Sequence, residues 1–144
     1  MEKRDDEKKR PRESYIDIRL AEREIRDFLM NNLDLIEPGL QLYVGEFRTG
    51  REYDTGYAGR IDLLCVRPSG DFVVIEIKRE CANDRVVGQI LRYMGWVKQN
   101  LANGKEVHGI IIAPDKDRTL ELATSNAKNV SIKYYKLKLE IADG

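Results

Sequence analysis

The sequence predicts an α/β domain in which a mixed sheet carries helices on both faces. Two apolar runs, Ile61–Val66 and Phe72–Ile77, are rich in β-branched residues and flank a Pro-Ser-Gly-Asp turn, which is typical of a hairpin. A third apolar run, Val107–Ala113, predicts another buried strand. Helical periodicity in Ile18–Asn32 and again after Asn83 predicts helices around these strands. The predicted element order is helix, three strands, helix, strand, helix, strand (αβββαβαβ).

The N-terminal third combines a charged tail, an amphipathic helix and a long loop. Residues 1–13 mix both charge signs without apolar periodicity, so we expect a disordered tail before a single domain at 14–144. In the helix, apolar residues recur on one face: Ile18, Ala21, Ile25, Phe28 and Leu29. Alternation predicts a first strand at Leu42–Arg48, whereas the three glycines of Thr49–Gly59 favour a loop.

The stretch Arg60–Arg79 forms the centre of the predicted sheet. Pro68 has a fixed φ and Gly70 tolerates a positive φ, and both favour a tight turn between the two strands. Both strands are apolar at successive positions, so we expect both of their faces to be covered. Cys65 is therefore expected to be a small buried apolar group, and Cys81 an incidental loop thiol.

A helix and a strand follow the hairpin. Asn83 or Asp84 can cap a helix that continues to about Leu101. Its apolar positions are expected to be buried: Val87, Ile90, Leu91, Met94, Val97 and Leu101. Trp96 is expected to join this core. His108, the only histidine, begins the next strand and is expected to be structural.

The chain ends in a predicted helix and a predicted edge strand. The helix is expected at Arg118–Ala127 and the strand at Val130–Ile141. Lysines alternate with apolar residues in that strand at Lys133, Lys136 and Lys138. This pattern is typical of a sheet edge that charge protects from further pairing.

Length and composition narrow the function classes. The 144 residues suffice for one domain with its own core, and 25 Lys and Arg residues balance 25 Asp and Glu residues. Bulk charge therefore does not indicate a nucleic-acid partner, and any basic surface must be local. The chain lacks both an apolar run of about 18 residues and an apolar signal core, and its two cysteines are too few for a disulfide framework. We expect a cytoplasmic protein without a membrane partner or a small-molecule cofactor.

Three charges interrupt the central strands: Asp62, Glu76 and Lys78. Alternation places Glu76 and Lys78 on one face of their strand. A buried carboxylate is costly unless it is paired or binds a metal, and a buried ion pair contributes little stability, so a functional site is favoured. Asp62 and Glu76 supply oxygen ligands suited to Mg²⁺ or Mn²⁺, with the carbonyl of Ile77 as a further ligand. Lys78 can position an attacking water and offset charge, which predicts hydrolysis of phosphodiester bonds.

These residues resemble a known family. The spacing of Asp62, Glu76-Ile77-Lys78 and Gln89 resembles the motif of the PD-(D/E)xK nuclease superfamily. The segments RIDLLCV, SGDFVVIEIKR and DRVVGQILRYMGWV are similar to the nuclease domain of NucS/EndoMS-type mismatch endonucleases. The resemblance runs from about residue 18 to residue 113 and is densest at 60–97. It implies a restriction-endonuclease-like fold and a Mg²⁺- or Mn²⁺-dependent DNA endonuclease that acts in DNA repair.

The resemblance also implies roles for residues outside the strands. Gln89 would complete the active site, with Tyr93 next to it, whereas Ile61 replaces a proline that carries no chemistry. The superfamily often adds a glutamate from the first helix, and Glu22 and Glu24 are the candidates. At about 100° per residue, Glu22 lies about 60° from the centre of the apolar stripe and Glu24 about 100° away. Glu22 is therefore the predicted active-site residue, and Glu24 is expected in solvent.

Contacts to nucleic acid are expected from the loop before the first motif strand and from basic residues around the motif. Loops on a rigid sheet concentrate binding groups, so Tyr53, Tyr57 and Arg60 are candidates, with Tyr93 as a further one. The other basic side chains that can line a phosphate track are Arg79, Arg85, Arg92 and Lys98.

The sequence thus predicts a metal-dependent DNA endonuclease with DNA as its partner and a homodimer as an option. One alternative is a Holliday-junction resolvase or restriction-type nuclease of the same fold. Another, from a different class, is a nucleic-acid-binding module without catalysis. The complete set of Asp62, Glu76 and Lys78 argues against the binding module.

Overall fold

The computed structural model describes residues 18–80, 83–138 and 140–144, with side chains in the first helix described from residue 23 onward. The predicted tail at 1–13 and Cys81 lie outside this range. The helices are α1 (Ile18–Met30), α2 (Arg85–Asn100) and α3 (Arg118–Ser125), with a 3-10 turn at Leu33–Leu35. The strands are β1 (Gln41–Leu42), β2 (Arg51–Asp54), β3 (Arg60–Val66), β4 (Phe72–Ile77), β5 (Val107–Ala113) and β6 (Val130–Tyr134). Within the described residues, no helix is both long and apolar enough to cross a lipid bilayer.

The strands form one mixed sheet in the order β1-β3-β4-β5-β6, and β2 also pairs with β3. The β3–β4 hairpin is antiparallel, whereas β4, β5 and β6 are parallel. Gly70 has φ +89° in the hairpin turn, as its position predicts. The predicted α/β fold is therefore confirmed.

The sheet separates two hydrophobic cores, which we call the α1 side and the α2 side. On the α1 side, Ile25 of the helix joins the core that contains Ile75 of β4. On the α2 side, Ile90 joins the core that contains Val74. Alternate residues of β4 thus serve opposite cores, as the continuous apolar run predicts. Cys65 is buried in β3, and this burial raises the pKa of its thiol to about 12, so it is an inert core group.

The region before β3 differs from its prediction. Four strands, not three, precede α2, because β2 forms inside the predicted loop Thr49–Gly59 by pairing antiparallel with β3. Of the predicted strand Leu42–Arg48, only Leu42 lies in a strand, the two-residue β1. Beyond β1, Val44 and Thr49 form only an isolated bridge. Pairing with the central hairpin, rather than local alternation, decides which of these segments is a strand.

Two further predictions are corrected. The last strand ends at Tyr134 rather than Ile141, because its partner β5 ends at Ala113, which pairs with Tyr134. The side chains of Phe28 and Leu91, predicted in buried stripes, are 56% and 42% exposed. The helix surface that meets the sheet is therefore narrower than the apolar stripe of the sequence.

Gly50 lies directly against the backbone of β3, and its substitution tests the packing between the two segments. A Cβ atom at Gly50 would lie 1.9 Å from the carbonyl oxygen of Leu64, and the Leu64 N–H donates to the Gly50 carbonyl at 2.8 Å. Because neither backbone can move without breaking this contact, we expect Gly50→Ala to lower the free energy of unfolding by about 3 kcal/mol. Gly88→Ala is the control, since Gly88 is exposed in α2 with nothing within 4 Å of its Cβ position. It should stabilise the domain by about 0.5–1 kcal/mol in the same denaturant titration, and equal effects of the two substitutions would contradict the packing described.

Candidate active site

Strands β3 and β4 bring two carboxylates together near the end of their ladder. The register pairs Leu63 with Ile75, so Asp62 and Glu76 occupy the next pair of positions. Glu76 is only 4% exposed, and Asp62 is half-buried. Two acidic side chains thus lie on adjacent inner strands of the sheet, as the motif predicts.

The backbone at the end of β4 contributes to the same site. Lys78 donates its N–H to the carbonyl of Ile112 on β5 at 2.8 Å, so the N–H and carbonyl of Ile77 point the other way, toward β3. The Ile77 N–H donates to Oδ2 of Asp62 at 2.7 Å. The Asp62 side chain therefore takes the place of a ladder carbonyl, and the Ile77 carbonyl lies on the same edge of β4.

Lys78 is fixed by a hydrogen-bond chain on α2. Its Nζ donates to Oε1 of Gln89 at 3.0 Å, and Nε2 of Gln89 donates to the Tyr93 hydroxyl at 3.0 Å. Gln89 and Tyr93 are four residues apart and therefore share one face of the helix. The lysine can only donate, so it fixes which end of the Gln89 amide faces the strand. The structure thus brings Lys78, Gln89 and Tyr93 together as predicted.

Tyr135 is a residue that the sequence reasoning missed. Its hydroxyl donates to the backbone carbonyl of Lys78 at 2.9 Å, and its side chain packs against the α1-side core. Lys78 is therefore held through its side chain by α2 and through its backbone by the segment after β6. Tyr135 belongs to no motif, and its only signal is an aromatic side chain just past the last strand.

Of the two glutamates of α1 that were candidates for the active site, only Glu24 has a described side chain. Glu22 lies in α1, but its side chain is outside the described part of the chain, so its assignment stays a prediction. Glu24 is exposed, as expected for the flank of the helix. The helix itself packs on the α1 side of the sheet, whereas Lys78 reaches α2 on the other side.

The predicted nucleic-acid contacts divide into exposed and buried groups. Arg60, Arg79 and Arg85 are exposed, and Arg79 lies 3.9 Å from a carboxylate oxygen of Glu80. Tyr93 is only 3% exposed and Tyr53 only 5%, so neither ring offers a face to solvent, and their contacts with nucleic acid stay a prediction. Both rings are buried because they pack in the α2-side core.

Two side chains around Tyr53 and Tyr93 have structural roles. Trp96 packs on the Tyr53 ring with centroids 5.8 Å apart, which places it beside the core as predicted. Arg92, predicted on a phosphate track, donates from Nε to the carbonyl of Ala58 at 2.9 Å. Arg92 therefore ties the β2–β3 loop to α2.

The donor atoms at this site fit a hard divalent cation. In the described residues, no group of three or more His, Cys, Asp or Glu side chains is placed to hold a metal. Mg²⁺ is commonly held by one or two carboxylates while it keeps several waters. The carboxylates of Asp62 and Glu76, with the carbonyl of Ile77, supply oxygen donors of that kind.

Comparison with known proteins places the chain in a family. The family described as "Endonuclease NucS C-terminal domain" matches residues 21–138. Endonuclease NucS of Sulfolobus acidocaldarius is 32% identical over 117 residues, which are 81% of this chain and 42% of that protein. Endonuclease NucS of Pyrococcus furiosus is 32% identical over 104 residues, which are 71% of this chain and 36% of that protein. The chain thus spans less than half the length of these two relatives.

Solved structures show the same fold. The chain aligns with an EndoMS-dsDNA2 complex at a TM-score of 0.65 and 21% identity, over 83% of this chain and 46% of that one. A repair endonuclease from Pyrococcus abyssi aligns at a TM-score of 0.65 and 24% identity, over 85% of this chain and 49% of that one. With the family match over residues 21–138, the conclusion is that the chain belongs to the endonuclease NucS C-terminal domain family.

Proposed function

We propose that this domain is a metal-dependent DNA endonuclease that hydrolyses phosphodiester bonds. The observation that carries the proposal is the pair of carboxylates at Asp62 and Glu76 beside a lysine anchored by Gln89. The naming of its relatives as endonucleases, and an EndoMS structure described as a DNA complex, support the same activity.

Each residue has a distinct role in the proposed mechanism. Asp62, Glu76 and the Ile77 carbonyl would hold Mg²⁺ or Mn²⁺, and the bound ion would supply Lewis acidity toward a phosphate oxygen and a water. Asp62 is oriented by the Ile77 N–H, so one of its oxygens is committed to the backbone. Lys78 is positioned to orient the attacking water and to stabilise negative charge that develops on the phosphate. Gln89 holds the lysine amine in place before substrate binds.

DNA would approach across the exposed basic residues around the site. Arg60 begins β3 two residues before Asp62, Arg79 follows Lys78, and Arg85 begins α2. All three are exposed, and the chain has no net charge to attract DNA over long distances. Local phosphate contacts therefore dominate binding, and affinity should fall as salt is raised.

The test is cleavage of a panel of labelled DNAs with Mn²⁺ and with a chelator. The panel contains perfect duplex, mismatched duplex, flap, four-way junction and single strand. We expect cleavage of at least one substrate with Mn²⁺ and none with the chelator. Binding without cleavage in both conditions would identify a binding module and overturn the proposal.

A further inference from the structure

The carbonyl of Lys78 lies where the parallel ladder between β4 and β5 loses a donor. In this ladder, Lys78 donates its N–H to the carbonyl of Ile112, in keeping with the register that pairs Ile77 with Ile112. The same geometry assigns the next hydrogen bond to the N–H of residue 114 and the carbonyl of Lys78. Residue 114 is a proline, which has no N–H, so the ladder cannot satisfy this carbonyl.

The side chain of Tyr135 supplies the missing donor. Its hydroxyl donates to the Lys78 carbonyl at 2.9 Å. Its backbone N–H donates to the carbonyl of Ala113 at 3.0 Å, which continues the pairing of β6 with β5 by one residue. The ring is half-buried and packs against the α1-side core. Tyr135 is therefore fixed through its backbone and its ring, and its hydroxyl reaches across the end of β5 to Lys78.

This hydrogen bond acts where the chain leaves the sheet. Strand β4 ends at Ile77, and Arg79, the residue after Lys78, is exposed. The Lys78 amine is held by Gln89 on the α2 side of the sheet, whereas Tyr135 holds the Lys78 carbonyl from the α1 side. Loss of the hydroxyl would free the peptide group after Lys78 and let the lysine shift relative to the carboxylates.

We infer that Tyr135 is a positioning residue, which holds Lys78 in the geometry that the chemical step requires. The inference deepens the proposed endonuclease function and rests on it. In this role the hydroxyl contacts neither DNA nor metal and acts only through the lysine. Partners that orient a ligand or a reacting group from behind typically contribute roughly 10- to 100-fold to activity, because a small displacement of such a group lowers the rate steeply.

The test is a double-mutant cycle on the single-turnover rate of Mn²⁺-dependent DNA cleavage. Tyr135→Phe removes only the hydroxyl and should slow cleavage roughly 10- to 100-fold, while DNA affinity in chelator stays unchanged. In the Lys78→Ala background, Tyr135→Phe should change the rate by less than about 2-fold, because the amine that it positions is already absent. Tyr134→Phe is the matched control, since this neighbouring hydroxyl donates to Glu121 of α3 at 2.7 Å. It should leave the rate unchanged.

Two results would overturn the positioning role. One is an unchanged rate in Tyr135→Phe, and the other is an equal loss of rate with and without the Lys78 side chain. The equal loss would assign the Tyr135 hydroxyl to the stability of the fold, so unfolding midpoints are measured for all variants and cleavage is assayed well below them. Absence of Mn²⁺-dependent cleavage by the unsubstituted chain would instead overturn the proposed function, and the role of Tyr135 in catalysis with it.

Discussion

Glu76→Gln should abolish Mn²⁺-dependent cleavage of DNA while leaving the folded domain at least as stable as the unsubstituted chain. The substitution keeps the shape of a side chain that is only 4% exposed, but it removes a metal-binding charge. Without metal, the Glu76 carboxylate neighbours Asp62 in the ladder, and like charges that share a site disfavour each other. Loss of the charge therefore removes repulsion in the metal-free protein. Single-turnover cleavage and thermal unfolding in chelator measure the two effects, and Asp62→Ala should lose cleavage in the same way.

Glu46→Gln is the control for this experiment, because Glu46 is exposed and lies outside the carboxylate pair. It should change neither cleavage nor stability. Full activity in Glu76→Gln or in Asp62→Ala would exclude the mechanism proposed for these two residues.

Lys78→Ala should slow cleavage by roughly two to three powers of ten, the effect of removing one preorganised electrostatic group. The amine is held by Gln89 at 3.0 Å before substrate binds, so it needs no rearrangement to stabilise charge in the transition state. DNA affinity should fall much less, since the exposed arginines proposed to contact DNA would supply other phosphate contacts. Rates under single-turnover conditions and binding in chelator separate the two quantities.

Lys128→Ala provides the comparison for Lys78→Ala, because Lys128 is exposed just before β6 and is not among the basic residues expected to contact DNA. It should leave the single-turnover rate unchanged. If Lys78→Ala lowered affinity and rate by the same factor, Lys78 would be a DNA-binding residue without a role in the chemical step.

The central sheet could be predicted because its strands are continuous apolar runs between turn residues. The bounds of β5 are those predicted, and the β3–β4 hairpin forms around Gly70. The strand β2 could not be predicted, since Tyr53 is its only buried side chain and Glu52 has φ +46°, outside the strand region. It exists because β3 offers an edge for pairing. That tertiary contact leaves no periodic trace in the sequence.

In the candidate site, too, the features with a local sequence pattern could be predicted, and those that arise from tertiary contacts could not. Strand alternation predicts that Glu76 and Lys78 share a face, and helix spacing predicts that Gln89 and Tyr93 do. The contact of Tyr135 with the Lys78 carbonyl joins residues 57 positions apart and has no local signal. Arg92 shows the same limit, because its charge suggests phosphate binding while its position commits one N–H to the β2–β3 loop.

Isothermal titration calorimetry with Mn²⁺ tests the central claim, that Asp62 and Glu76 form a metal site, without depending on cleavage. We expect the unsubstituted chain to bind one or two ions. Glu76→Gln and Asp62→Ala should each weaken Mn²⁺ binding by more than about 100-fold. A loss of about 100-fold is the largest expected when the mutated residue only supports a metal ligand through a hydrogen bond. Glu46→Gln should bind as the unsubstituted chain does. Unchanged Mn²⁺ affinity in both Asp62→Ala and Glu76→Gln would contradict the claim.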